Sequence, residues 1–337
     1  MRIPGGFTRI MAKTVVVALG GNAITHADQA GTYEEQATNA RAMAEAVCGL
    51  RAAGWAVVVV HGNGPQVGNL AIQQEEGARR VPELPLFWLG AMTEGQLGSL
   101  LTLALREAGG SDLPGVITVV THMEVDADDP AFAQPTKPIG PFLDEATAHG
   151  HERERGWTVG EDAGRGYRRL VASPEPRRIV ELDDIRALVA RGSVVVAAGG
   201  GGVPVVDDGG VLRGVDAVID KDLAAERLAS ALGADALLLV TAVPQVVLDF
   251  GKSTVRGIAE MTVDEALRYA GEGQFPPGSM GPKIRAATRF VRATGGVAVI
   301  TDATHAVAAL ASPDAGPVTA CAGTRIVPAP TSLGAVS

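Results

Sequence analysis

The chain has 337 residues, 46% hydrophobic and 20% charged, a balance that excludes a disordered or fibrous chain and allows about two domains, or one large α/β domain with a subdomain. Its 29 basic and 38 acidic residues give a net charge of −9 without long like-charge blocks, which argues against a general nucleic-acid or anionic-membrane surface. The 43 glycines, well above an average share of about 7%, cluster between apolar runs without a collagen period, and Cys48 and Cys321, with no zinc spacing or disulfide framework, suit a reducing cytoplasm.

Residues 1–12 read as a disordered leader, or as sequence before a true start at Met11. The five apolar residues of 15–19 fall short of the roughly 7 to 15 of a signal peptide. Apolar, β-branched runs at 14–19, 56–60, 116–120, 193–198, 236–241 and 297–301 predict strands buried on both faces. Helical spacing predicts helices over 33–53, where Ala40, Met43, Val47 and Leu50 share a face, and over 86–108, 183–191, 222–232 and 282–293. No apolar run approaches the ~18 residues of a membrane span. Strands alternating with helices imply right-handed crossovers and an α/β fold with a mostly parallel sheet covered on both faces. Ligands of such a sheet bind beyond the carboxyl ends of its strands.

The residues after each strand are therefore the informative ones. Gly20-Gly21-Asn22-Ala23 follows the first, His61-Gly62-Asn63-Gly64-Pro65 the second, and Gly199-Gly200-Gly201-Gly202 the fourth. One such cluster reads as a tight turn; three at one sheet edge favour an anion site, where backbone N–H groups approach a phosphate. The stretch from about 122 to 175, rich in Asp, Pro, Gly, Arg and His, breaks the alternation and is too long for an ordinary loop. It reads as a protruding subdomain or lid, since Trp157, Tyr167 and the prolines around Lys137 argue against a disordered linker.

Three lysines stand in unusual places. Pro282 suits a helix start, which puts Lys283 in the first turn, where the helix dipole disfavours a cation. Asp220-Lys221-Asp222 opens another helix, with aspartates able to cap it and orient the lysine; a local ion pair is the other reading. Lys137 lies in the proline-stiffened run Pro135-Thr136-Lys137-Pro138, as a placed cation or as a surface lysine. Familiar alternatives fail. Gly251-Lys252-Ser253 lacks the earlier P-loop glycine because position 246 is valine. Gly64 and Gly68 are separated by three residues where a dinucleotide fingerprint needs two. His149-x-His151-Glu152 reads as a solvated segment, and no serine sits in a nucleophile elbow.

Taken in order, Gly20-Gly21-Asn22-Ala23, His61 to Gly68, Lys137-Pro138-Ile139-Gly140, Gly199 to Val205, Val218 to Ala224 and Gly273 to Lys283 resemble the motif set of the carbamate kinase family, within the amino-acid kinase superfamily. The resemblance covers about 14 to 327. It implies an open αβα sandwich (the amino-acid kinase fold) with an amino-terminal lobe over 13–205 that binds carbamate and includes the 122–175 lid, and a nucleotide-binding lobe over 206–337. The implied reaction is reversible phosphoryl transfer between ATP and carbamate, with Mg²⁺ carried mainly by the nucleotide phosphates and no protein ligand assigned to it. By motif, Gly20, Gly21 and Asn22 hold the transferring group, with Gly62, Asn63, Gly64, Gly200 and Gly201 in the same phosphoryl-binding set. Lys137, Lys221 and Lys283 neutralise its oxygens, Asp222 orients lysines, and Asn22 completes the catalytic set. The nucleotide set is Lys221, Thr241, Ala242, Val243, Phe275, Pro277, Met280 and Lys283.

A cytoplasmic homodimer of arginine metabolism is the expected setting. Departures from the pattern are Glu94 where glutamine is expected, Ser99 where an aromatic is expected, Val171-Ala172-Ser173-Pro174, and Thr241-Ala242-Val243-Pro244-Gln245. A non-catalytic nucleotide sensor and a sister kinase for another small acid remain as alternatives; the complete lysine set favours the enzyme.

Overall fold

Contiguous apolar runs build the sheet. In chain order the strands are β1 (Thr14–Leu19), β2 (Ala56–His61), β3 (Val116–Thr118), β4 (His122–Glu124), β5 (Lys137–Leu143), β6 (Thr158–Glu161), β7 (Tyr167–Val171), β8 (Arg178–Ile179) and β9 (Val194–Val196). They continue as β10 (Val203–Asp208), β11 (Val211–Gly214), β12 (Ala236–Val240), β13 (Val246–Leu248), β14 (Arg256–Ile258), β15 (Glu260–Thr262), β16 (Val297–Thr301) and β17 (Thr324–Val327). The helices are α1 (Tyr33–Ala52), α2 (Gly64–Gly77), α3 (Leu86–Gly109), α4 (Glu145–Arg155), α5 (Leu182–Ala190), α6 (Lys221–Leu232), α7 (Val263–Gly271), α8 (Met280–Thr294) and the short α9 (Ala306–Ala309). The structure, a computed structural model, describes residues 12–20, 24–26, 29–162, 166–276, 278–311 and 322–329. Residues 1–11, Gly21, Asn22, Pro277 and Cys321 lie outside the described residues.

An eight-stranded sheet runs in the order β15-β17-β16-β12-β1-β2-β9-β3. It is parallel from β16 to β3, and β17 pairs antiparallel with β16 at one end. All six predicted strands lie in it. Side chains alternate across its faces: Val15, Val17 and Leu19 enter one core with α1 and α3, while Val16 and Ala18 enter the other with α6 and α8. A capping box, Thr32 with Glu35, starts α1, and Asp220 caps α6 by accepting from the backbone N–H groups of Asp222 and Leu223 at 2.9 and 3.4 Å. No helix among the described residues is long and apolar enough to cross a membrane.

Several boundaries move. The strand expected over 193–198 stops at Val196 and that over 116–120 at Thr118. Ala198 turns the chain out of the sheet with φ 50°. The last long helix begins at Met280, so Pro282 is its third residue and not its first, although Lys283 stays in the opening turn. Helix α2 was not expected, because Gly64, Gly68 and Gly77 depress helix propensity; its packing against β5 overrides that preference.

The 122–175 stretch contributes β4 to a four-stranded sheet ordered β11-β10-β4-β8, and builds a separate three-stranded sheet, β5-β7-β6, beside α4. That small sheet is seated on α2 by a backbone approach. A Cβ on Gly68 would lie 2.0 Å from Gly140 Cα, so any side chain at position 68 would push β5, and with it Lys137, off the helix.

Candidate active site

The strand ends at one sheet edge come together as the parallel register requires. Leu19 pairs with His61 on one side and Val240 on the other, which sets Gly20, Gly62 and Thr241 side by side, and the Gly62 N–H donates to the Leu19 carbonyl at 3.1 Å. A short 3₁₀ turn, Gly199–Gly201, follows β9. Its backbone is left-handed at Ala198, Gly200, Gly201 and Gly202, and side chains are barred by contact as well as by strain: a Cβ on Gly200 would lie 2.2 Å from Asn63 Nδ2, and one on Gly201 2.5 Å from the Ile219 carbonyl oxygen. Gly20, Gly62 and the Gly199–Gly202 turn thus stand at one sheet edge, the turn against Ile219 just ahead of α6.

The lysines converge on the same place. Lys137, carried by β5, donates to Asp220 Oδ2 at 2.6 Å. Lys221 donates to Asp222 Oδ1 at 2.5 Å, and Lys283 to Asp222 Oδ2 at 3.1 Å. The local ion pair read as one possibility for Lys221 does form, but its carboxylate is shared with a lysine 61 residues away. Burial works to raise the Asp220 and Asp222 carboxyls, and the neighbouring ammonium groups outweigh it, holding both below the usual carboxylate range. Burial pulls the Lys221 ammonium down, with repulsion from Lys283 adding to it and attraction to Asp222 opposing it. Three cations therefore share two carboxylates, leaving a net positive site at the N-termini of α6 and α8, where the helix dipoles already favour an anion. Each ammonium commits one N–H to an aspartate and has three to offer.

Behind the glycine turn sits a buried polar layer. His61 is fully enclosed, its basicity pushed down to about 4 by burial against the raising effect of the Gly62 carbonyl. The neutral ring donates from Nδ1 to that carbonyl at 3.2 Å. Asn63 Nδ2 donates to Thr93 Oγ1 at 2.8 Å. Glu94 is 1% exposed.

The remaining expected residues fall in two groups. Thr241, Ala242 and Val243 follow β12 at the same edge, with Ala242 and Val243 open to solvent. Met280 opens α8 and packs against the core, and Phe275 is buried in that core, supporting the start of α8 from beneath. Gly21, Asn22 and Pro277 are outside the described residues.

The sequence pattern of the amino acid kinase family matches residues 13–302. The chain belongs to the amino acid kinase family. Within this family it is 48% identical to the carbamate kinase of Thermococcus kodakarensis over 88% of this chain and 96% of that one. Among solved structures, the carbamate kinase from Giardia lamblia bound to citric acid superposes with a TM-score of 0.87 at 39% identity, covering 94% of this chain and 99% of the other. The same enzyme bound to AMP-PNP gives 0.84 at 40% identity over 94% and 99%.

Two adjoining cavities of about 240 and 560 Å³ lie between α2 and the inserted sheet, lined by Ile72, Ile139 and Trp157 and by Glu75, which pairs with Arg155 and Arg169. Neither contains any of the three converging lysines. Sequence reasoning had not singled out Asp220 as the partner of Lys137, nor the buried His61 as a support beside the Gly199 turn. The capping position of Asp220 was legible; its ion pair, across 83 residues, was not.

Proposed function

We infer that this chain is a carbamate kinase, catalysing ATP + carbamate = ADP + carbamoyl phosphate in either direction. The observation that carries the reading is the cluster of Lys137, Lys221 and Lys283 on Asp220 and Asp222, net positive and facing three glycine turns at one sheet edge. In the transfer a carbamate oxygen bonds to the γ-phosphorus as the bond to the ADP oxygen breaks. Charge spreads over the equatorial phosphoryl oxygens, so the chemistry asks for positioned cations and N–H donors more than for covalent help. Lys221 and Lys283, held by Asp222, supply the fixed charges, and Lys137 brings a third from the inserted sheet. Gly20, Gly62 and Gly200 leave room for backbone contact, and Gly21 and Asn22 follow Gly20 in the sequence. Thr241 to Val243 and Met280 border the nucleotide side.

Mg²⁺ belongs to this scheme as part of the substrate, magnesium–ATP. Among the described residues no three or more His, Cys, Asp or Glu gather to hold a metal, and Asp220 and Asp222 are both engaged by lysines, so the donor set suits an ion carried by phosphates. The purified protein is expected to form ATP from ADP and carbamoyl phosphate in a magnesium-dependent coupled assay. ADP binding without turnover would instead support the nucleotide sensor.

The assembly we propose is a homodimer in the cytoplasm. Helix α3 lies across the edge strand β3, with Thr102 Oγ1 3.1 Å from Thr118 Oγ1, and it exposes Trp88, Met92 and Leu103 to solvent. An unpaired strand edge beside an apolar helix face fits a second copy of the same chain. Light scattering should give a dimer for the natural chain and a monomer for Trp88→Glu combined with Met92→Asp; a natural monomer would remove the proposal.

A further inference from the structure

Thr121 clamps both ends of the Gly199–Gly202 turn. Its hydroxyl accepts from the Ala198 N–H at 2.9 Å and its carbonyl accepts from the Val203 N–H at 2.8 Å. Of the left-handed residues in this turn only Ala198, at φ 50°, is not glycine and carries backbone strain. Thr121 in turn is held from below, its own N–H donating to Glu94 Oε2 at 2.9 Å. The other carboxyl oxygen of Glu94, Oε1, is buried and has no hydrogen-bond partner among the described residues. The side chain lies against the turn and leaves no room for one at position 199: a Cβ on Gly199 would stand 3.1 Å from Glu94 Cγ and 2.3 Å from His61 Nε2.

We propose that Glu94 is a positioning residue that holds Thr121, and through it the glycine turn, as an uncharged carboxylic acid. The inference rests on the phosphoryl-transfer reading above. An ionised Glu94 would leave a charged oxygen buried without a partner and set a negative charge directly behind the turn that must receive phosphoryl oxygens. As the neutral acid it has the shape of glutamine and the same pairing of one acceptor end with one donor end, which accounts for glutamate at a position where the family resemblance leads one to expect glutamine. The ionisable groups around it agree. Burial drives the Glu94 carboxyl well above its usual range, opposed by the backbone N–H groups of Thr121 and Val203 and reinforced by the charge of Glu181. Glu181 is paired with His122 at 2.7 Å, and His61 is a neutral ring that offers no counter-charge.

The test compares the natural chain with Glu94→Gln and Glu94→Ala. An acid whose folded-state pKa is raised contributes stability that is complete below its unfolded value near 4.3 and is lost as pH rises towards the folded value. Denaturant unfolding between pH 5 and 9 should therefore show Glu94→Gln gaining on the natural chain by up to tenfold in the folding equilibrium constant per pH unit. A constant difference across that range would mean that Glu94 is ionised in the folded protein, and would overturn the proposal. In the ATP-forming assay at neutral pH, Glu94→Ala should lose roughly 10- to 100-fold in kcat as the turn slackens, and glutamine should restore most of it. Glutamine as damaging as alanine, or alanine without effect, would also overturn it. A natural chain that makes no ATP would refute the kinase reading alone, because the pH dependence of stability still reports the state of Glu94.

Discussion

Lys221→Ala and Lys283→Ala are each expected to lower kcat by about 10²-fold or more, the loss seen when one preorganised donor to a developing charge is removed. Both ammonium groups lie on Asp222, at 2.5 and 3.1 Å, with side chains only 12% exposed, so water cannot substitute for either. Folding should be nearly unaffected. Asp222 keeps its second lysine in each variant, the desolvation of a buried cation is relieved, and a positive charge leaves a helix N-terminus where the dipole disfavours it by about 0.3–1 kcal/mol. Lys137→Ala should also slow transfer while leaving ADP binding intact, since the residue belongs to the inserted sheet and meets the site through Asp220. Steady-state kinetics beside denaturant melts separates these roles: unchanged kcat in a variant would remove that lysine from the mechanism, and a large loss of stability would make it structural.

Asp222→Asn should be the most damaging single change to the fold of the site. The substitution preserves shape but leaves Lys221 and Lys283 facing one another without their shared carboxylate, and breaking a buried pair in this way costs about 3–5 kcal/mol. The loss has a pH signature. Lys221 already titrates below the ordinary lysine range through burial and Lys283, and without Asp222 it should fall further. For a base with a depressed folded-state pKa, the unfolded chain binds more protons between that value and about 10.4, so stability rises with pH across the window. The deficit of Asp222→Asn should thus be largest near neutrality and shrink towards pH 10. A variant as stable as the natural chain at pH 7, with equal kcat, would show that the carboxylate neither holds nor orients the lysines.

The residues of the central sheet could be read from the chain because a parallel strand buried on both faces is written as a contiguous apolar run. Val15 to Leu19, Ala56 to Val60 and Ala236 to Val240 are such runs, and helical spacing located α1, α3, α5, α6 and α8 within a few residues. The glycine clusters and the lysines at helix starts were equally visible, since each is a local conflict: backbone freedom where a strand ends, or a cation where a dipole is positive. What was not local was not legible. Helix α2 is too rich in glycine to announce itself, β5 is interrupted by Pro138, Gly140 and Pro141, and β6 and β7 are too polar and short to show alternation, so these elements depend on packing against one another.

By itself the sequence determined the layered α/β architecture, the sheet edge where the glycine clusters stand and the lysines placed at helix starts, because periodicity, turn chemistry and helix polarity act over a few residues. Only the tertiary structure decided which carboxylate each lysine meets, that Thr121 clamps the glycine turn, and that the buried Glu94 lies under it. Those relations join residues such as Lys137 and Asp220, 83 positions apart. They exist only once strand order and crossover handedness have brought distant strand ends to one edge and excluded water from between them.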